Sequence, residues 1–114
     1  MKAWIIDALG QPPRIAERPA PQPGPGQALV RVAAAGLNFA DLLMAEGRYQ
    51  ERPALPFVPG LELAGRVEAL GPGTIGPPPG TAVAAHVAGG AFAELAVVPV
   101  DRLLVLPETM AMTE

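Results

Sequence analysis

The sequence predicts a mainly β domain, an antiparallel sandwich or barrel of about seven short strands with one short helix. Three observations carry this. The thirteen glycines and fifteen prolines of the 114 residues fall in clusters at 12–13, 19–26, 53–60 and 71–80, with short apolar stretches between them, so they punctuate strands instead of forming a low-complexity tract. Two of those stretches, 28–35 and 61–70, alternate apolar and polar or small residues with a period of two, as half-buried strands do. Finally, the length suits a single domain, which at this size hides about two thirds of its unfolded surface and can stand without disulfides. Indeed there is no cysteine, which also excludes thiolate metal sites and a cysteine nucleophile.

Taken in order, residues 1–8 read as a first strand carrying Trp4, Ile5 and Ile6, and 7–11 as its turn. Residues 14–18 form the return strand. The run PAPQPGPGQ at 19–27 cannot hold a helix, because proline lacks an amide donor and restricts the residue before it; it is an extended connector. Residues 28–35 place Leu29, Arg31 and Ala33 on one face and Val30, Val32 and Ala34 on the other, and Gly36 ends the strand. The helix is expected over 39–46, where Phe39, Leu42, Leu43 and Glu46 share helical spacing. Asn38 is its N-cap, Asp41 favours the first-turn amides and the positive end of the dipole, and Gly47 stops it. Further strands are expected at 61–70, 81–87, 92–98 and 102–106. The predicted core gathers Val30, Val32, Leu63, Val67, Leu95 and Val97.

Charge and hydropathy narrow the class of function. Eight basic against eleven acidic side chains give a net charge of -3, the opposite of a nucleic-acid footprint. No run approaches the roughly 18 apolar residues of a membrane span, and the N-terminus lacks a signal-peptide layout. A cytoplasmic domain with neither nucleic acid nor membrane as partner is expected.

Few residues carry chemistry on their own. Gly71-Pro72-Gly73-Thr74-Ile75-Gly76 spells GxGxxG, the dinucleotide fingerprint, but Pro77, Pro78 and Pro79 follow where its helix would run, so a hairpin turn is the better reading. His86, the only histidine, has no second His or Cys to share a metal and reads as a structural or rim residue. Glu62 shares a face with Arg66 and Glu68, a solvated pattern. Asn38 with Asp41 is most simply a helix cap. Tyr49, the only tyrosine, either covers a core edge or offers a hydroxyl as proton or hydrogen-bond donor.

The run VRVAAAGLNFADLLMAEGRYQERPALPFVPGLELAGRVEALGPGT at 30–74, continued by GAFAELAVVPVDRLLVLPE at 90–108, resembles the N-terminal domain of medium-chain dehydrogenases/reductases, in the zinc-free quinone oxidoreductase branch. Enoyl reductase units share the GLNFxD and GxY pattern, so both sub-branches remain open. The resemblance implies a GroES-like partly open β-barrel with one or two short helices, acting as the substrate-side domain of an NADPH-dependent enzyme that reduces a quinone or an activated C=C bond. Zinc-dependent members place a cysteine and a histidine where Asn38 and Leu61 stand here, and they carry a cysteine-rich zinc lobe absent from this sequence. The implied enzyme is therefore metal-free.

In that branch the residues matching Asn38 and Tyr49 line the cleft near the nicotinamide, Asn38 touching the cofactor, and the one matching Asp41 shapes it. Glu62 matches the acidic residue beside the lost histidine. Residues 79–83 depart from the family's G-D-R-V turn. Family members continue into a doubly wound dinucleotide-binding domain, which is absent from these 114 residues; 110–114 resemble the first turn of the connecting helix. The isolated domain is expected to be inactive, and an uncovered cleft face with Met110 and Met112 to give either weak self-association, as in a homo-oligomer, or a mobile C-terminus. The alternative is a stand-alone GroES-like binding or assembly module.

Overall fold

A computed structural model describes residues 1–36, 55–107 and 109–110. The strands are β1 (Lys2–Ile5), β2 (Arg14–Glu17), β3 (Gln27–Ala35), β4 (Glu62–Leu70), β5 (Ala82–His86), β6 (Leu95–Pro99) and β7 (Leu104–Val105), with a single 3-10 turn at Val100–Arg102 among the described residues. β1 and β2 form a two-stranded sheet, and the other five lie in the order β6-β3-β4-β5-β7, every pair antiparallel. Both sheets are open, as in the partly open barrel expected from sequence. The expected helix at 39–46 lies outside the described residues.

Period-two patterning explains the central pair. Along β4 the buried positions are Leu63, Gly65 and Val67, while Glu62, Arg66 and Glu68 are exposed. β3 answers with buried Ala28 and Val30. Two register irregularities interrupt the pairing. At the first, Glu68 is the extra residue with no register partner on β3, and its carboxylate accepts two hydrogen bonds from the Arg31 guanidinium of that strand at 2.9 and 3.0 Å. At the second, Ala33 is the extra residue, a bulge of the kind that bends a strand and re-aims the side chains beyond it.

β4 lies so close to β3 that a Cβ on Gly65 would fall 2.1 Å from the carbonyl oxygen of Arg31, so only glycine fits. The core then assembles from Ala28, Val30, Leu63, Val67, Val83, Ala85, Val87, Ala91, Ala96 and Val98, with Val32, Phe92 and Leu103 packed against it. Fully burying a valine such as Val30, Val83 or Val98 is worth roughly 1.5–3 kcal/mol, and Ile5 and Ile6 are buried as completely outside this cluster.

Two expectations need adjustment. β6 presents Ala96 and Val98 to the core, paired with Val30 and Ala28, whereas Leu95 and Val97 oppose Arg31 and Leu29 on the other face. Leu95 is buried there and Val97 half-buried. The sequence Leu-Ala-Val-Val is apolar at every position, so it has no period from which to read a phase; pairing with β3 supplies it. The strand expected over 102–106 is divided between the 3-10 turn and the two-residue β7, because Pro99 and Asp101 favour a turn before extended pairing resumes.

The GxGxxG spelling is a hairpin connection between β4 and β5. The Thr74 amide donates to the Gly71 carbonyl at 3.2 Å, closing a turn. Gly71 is required by backbone proximity: a Cβ there would lie 1.8 Å from the carbonyl oxygen of Gly24 in the proline-rich connector. The glycine thus admits a neighbouring chain segment, not a pyrophosphate.

Candidate functional site at the open end of the sheet

Antiparallel pairing brings the end of β3, the start of β4 and the end of β5 to one edge of the molecule. Gly36 donates its amide to the Glu62 carbonyl at 3.3 Å, and Val87 donates to the Leu61 carbonyl at 2.7 Å. Glu62 and His86 are direct register partners, and both are exposed. The Glu62 side chain lies back across the chain: a Cβ on Gly36 would come within 2.1 Å of Oε1, so an acidic group is set against the backbone where β3 ends.

Leu61 occupies this edge as a buried residue, 7% exposed, with Val87 as its backbone partner. An apolar side chain in that position offers a metal no electron pair, and the sequence has no cysteine to supply one. Among the described residues, no group of three or more His, Asp or Glu is arranged to hold a metal ion. His86 sits at the rim, exposed at the end of β5, as expected of a lone histidine.

Asn38, Asp41 and Tyr49, the residues singled out from the sequence, lie outside the described residues. The described chain stops at Gly36, two residues before Asn38, and resumes at Leu55. Thus Gly36, Leu61, Glu62 and His86 are the members of this edge that the structure brings together.

A second feature was not anticipated. An apolar groove of about 650 Å³ runs beside this edge, lined among others by Trp4, Ile15, Val32, Ala34, Ala35 and Phe92. β1 is held against the 92–94 segment by the Trp4 amide donating to the Phe92 carbonyl at 2.9 Å and the Glu94 amide to the Lys2 carbonyl at 3.1 Å. Val32 donates in turn to the Glu94 carbonyl at 2.9 Å, which ties the small sheet to β3. The groove lies where the two sheets meet. Trp4 and Ile15 are register partners and remain 44% and 58% exposed. A large aromatic opposite a β-branched residue on a short two-stranded ribbon was the available signal, but only the docking of that ribbon shows that the pair lines a groove.

Among the described residues, no helix is long and apolar enough to cross a membrane.

Known proteins share this architecture. The family model for the alcohol dehydrogenase GroES-like domain matches residues 24–108. The mouse synaptic vesicle membrane protein VAT-1 homolog-like is 39% identical over 116 residues, an alignment that takes in 100% of this chain and 28% of that protein. The crystal structure of human synaptic vesicle membrane protein VAT-1 homolog-like protein superposes with a TM-score of 0.96 at 36% identity, over 100% of this chain and 38% of that one. The quinone oxidoreductase of Thermus thermophilus, whose structure was determined with and without NADPH, superposes with a TM-score of 0.85 at 41% identity, over 98% of this chain and 34% of that one. The chain thus spans about a third of the length of these relatives. It belongs to the alcohol dehydrogenase GroES-like domain family of the medium-chain dehydrogenase/reductase superfamily.

Proposed function

We propose that this chain is the substrate-side domain of a zinc-independent, NAD(P)H-dependent oxidoreductase that reduces a quinone or an activated C=C bond. The observation that carries the reading is Leu61: a buried, apolar side chain stands at the sheet edge where zinc-dependent relatives need a metal ligand. The likeness to a quinone oxidoreductase studied with NADPH supports the choice of cofactor and acceptor.

The nicotinamide, when bound, supplies the hydride. The work of this chain is to shape the acceptor's pocket and provide a proton. Reduction leaves negative charge on an acceptor oxygen, and Tyr49 offers a phenol to donate to it. Asn38 would position the nicotinamide and Asp41 the start of the segment that carries both. Leu61 and Val87 keep the floor of the edge apolar, while Glu62 and His86 hold its polar rim. Activity requires the dinucleotide-binding domain, and the isolated chain is inactive.

The test is made on the full-length enzyme. NADPH oxidation should depend on an added quinone or enone, survive chelator treatment, and proceed without stoichiometric zinc. Tyr49→Phe should lower kcat/KM about tenfold or more, equivalent to at least roughly 1.4 kcal/mol of transition-state stabilisation, with unchanged thermal stability. One tightly held zinc per chain, or loss of activity with chelator, overturns the metal-free reading. Full activity in the Tyr49 variant removes that residue from the site.

A further inference from the structure

We propose that Glu62 is a positioning residue: its side chain, folded over the backbone of Gly36, fixes the direction in which the chain leaves β3 for Asn38. The claim deepens the reductase reading, on which it rests for its effect on turnover.

Ala35 pairs with Leu63 in the β3–β4 ladder, so Gly36 falls opposite Glu62, and its amide closes the ladder by donating to the Glu62 carbonyl at 3.3 Å. Glu62 is exposed and has water to extend into. It bends onto its partner instead. A Cβ at Gly36 would lie 2.1 Å from Oε1, 2.9 Å from Cδ and 3.1 Å from Cγ, so the length of the side chain covers this face of the glycine. Backbone conformation does not call for glycine here, because Gly36 is not among the glycines held at positive φ and an alanine could adopt its shape. What glycine supplies is room, and Glu62 fills it.

The position matters because a terminal ladder bond of 3.3 Å is long, and strand ends are where a sheet opens first. Glycine, lacking a Cβ, adds backbone freedom at the same point. A side chain laid across it shields the last bond from water and narrows the directions the chain can take next. Two residues further stands Asn38, proposed to orient the nicotinamide, and a misplacement of about 1 Å at such a group can cost roughly a hundredfold in rate.

The test is a double-mutant cycle in the full-length enzyme. Glu62→Ala removes the cover, and Gly36→Ala displaces it, since a flexible carboxylate yields to the new Cβ more easily than the strand does. Each should lower kcat with a quinone about tenfold, leave the KM for NADPH within about twofold and keep the thermal midpoint close to that of the parent. The double variant should be no slower than either single one, because both remove the same contact. Glu62→Gln, of the same length and shape, should recover most of the rate. Losses that multiply in the double variant, or a lowered midpoint with turnover per folded molecule intact, overturn the proposal.

Amide hydrogen exchange separates this claim from the reductase reading. In Glu62→Ala the Gly36 amide should exchange about tenfold faster, while the Val87 amide, which donates to the Leu61 carbonyl at 2.7 Å, keeps its protection. Unchanged exchange at Gly36 refutes the positioning role even where reduction proceeds, and faster exchange with unaltered kcat refutes it as well. A parent enzyme that reduces neither quinone nor enone refutes the reductase reading, and exchange at Gly36 then decides by itself whether Glu62 holds the end of β3.

Discussion

β3–β4 and β6 form opposite cases of strand specification within one sheet. β3 and β4 each carry charge on one face and aliphatic residues on the other, so a one-residue slip would bury Arg31, Arg66 or Glu68 and expose Val30, Leu63 and Val67. Their orientation is written into the chain. β6 is apolar at Leu95, Ala96, Val97 and Val98, and either face could serve as core. Its orientation is imposed by the neighbouring strand, through the pairing of Ala96 with Val30 and Val98 with Ala28. A strand with two apolar faces gains freedom of use at the cost of legibility.

The largest effect should come from the contact on which the β3–β4 pair depends. Gly65→Val places side-chain atoms where the Arg31 carbonyl lies, and parting the strands should cost about 3 kcal/mol or more, seen as a large drop in the urea midpoint. A shift below about 1 kcal/mol would show that the two backbones are not in close apposition.

Next comes the phase of β6. Val98→Ala should cost about 1–3 kcal/mol, as should Val67→Ala on the patterned strand, whereas Val97→Ala should cost about 0.5 kcal/mol. Equal losses at 97 and 98 would contradict the register with β3.

β7 offers a smaller contrast. Leu104 and Val105 are 68% and 62% exposed, and Leu104→Lys or Val105→Lys should change stability by no more than about 0.5 kcal/mol. The charge would blunt an apolar sheet edge, so less self-association by light scattering is the second expected outcome.

The smallest effect concerns the ribbon. Asp7 accepts hydrogen bonds from Arg14, which together with that guanidinium's charge lowers its carboxyl below the ordinary 3.8. A lowered folded-state value stabilises the protein above the unfolded-state value, and the contribution disappears as pH falls through the folded one. Arg14→Gln should therefore differ slightly from the parent above pH 3.8 and converge with it in stronger acid. Since both groups are exposed, the difference will be small and will shrink with salt. A gap that widens on acidification would contradict the assigned sign.

The positions of most strands along the chain, the turns between them and the innermost residues of β3 and β4 were legible from the sequence because alternation, proline and glycine act locally, whereas the order of strands in the sheet was not. Val30, Leu63 and Val67 could be assigned to the core without a neighbour in view. The rejection of GxGxxG was equally local, since the prolines at 77–79 forbid the helix that a phosphate site requires. The candidate site was legible only in part. Residue types and family resemblance pointed to Asn38, Asp41, Tyr49 and the loss of a metal ligand at Leu61, but composition cannot say that Leu61 is buried and backbone-paired with Val87 or that Glu62 folds over Gly36.

By itself, then, the sequence determined a β domain of short strands, the wet and dry faces of its central pair, and the lack of thiolate chemistry, because each depends on a residue and its near neighbours. Tertiary structure decided the phase of β6, the need for glycine at 65 and 71, and the groove beside Trp4 and Ile15. Each of these is a contact between segments far apart in the chain, where the distance between two backbones, and not the character of either, sets what can fit.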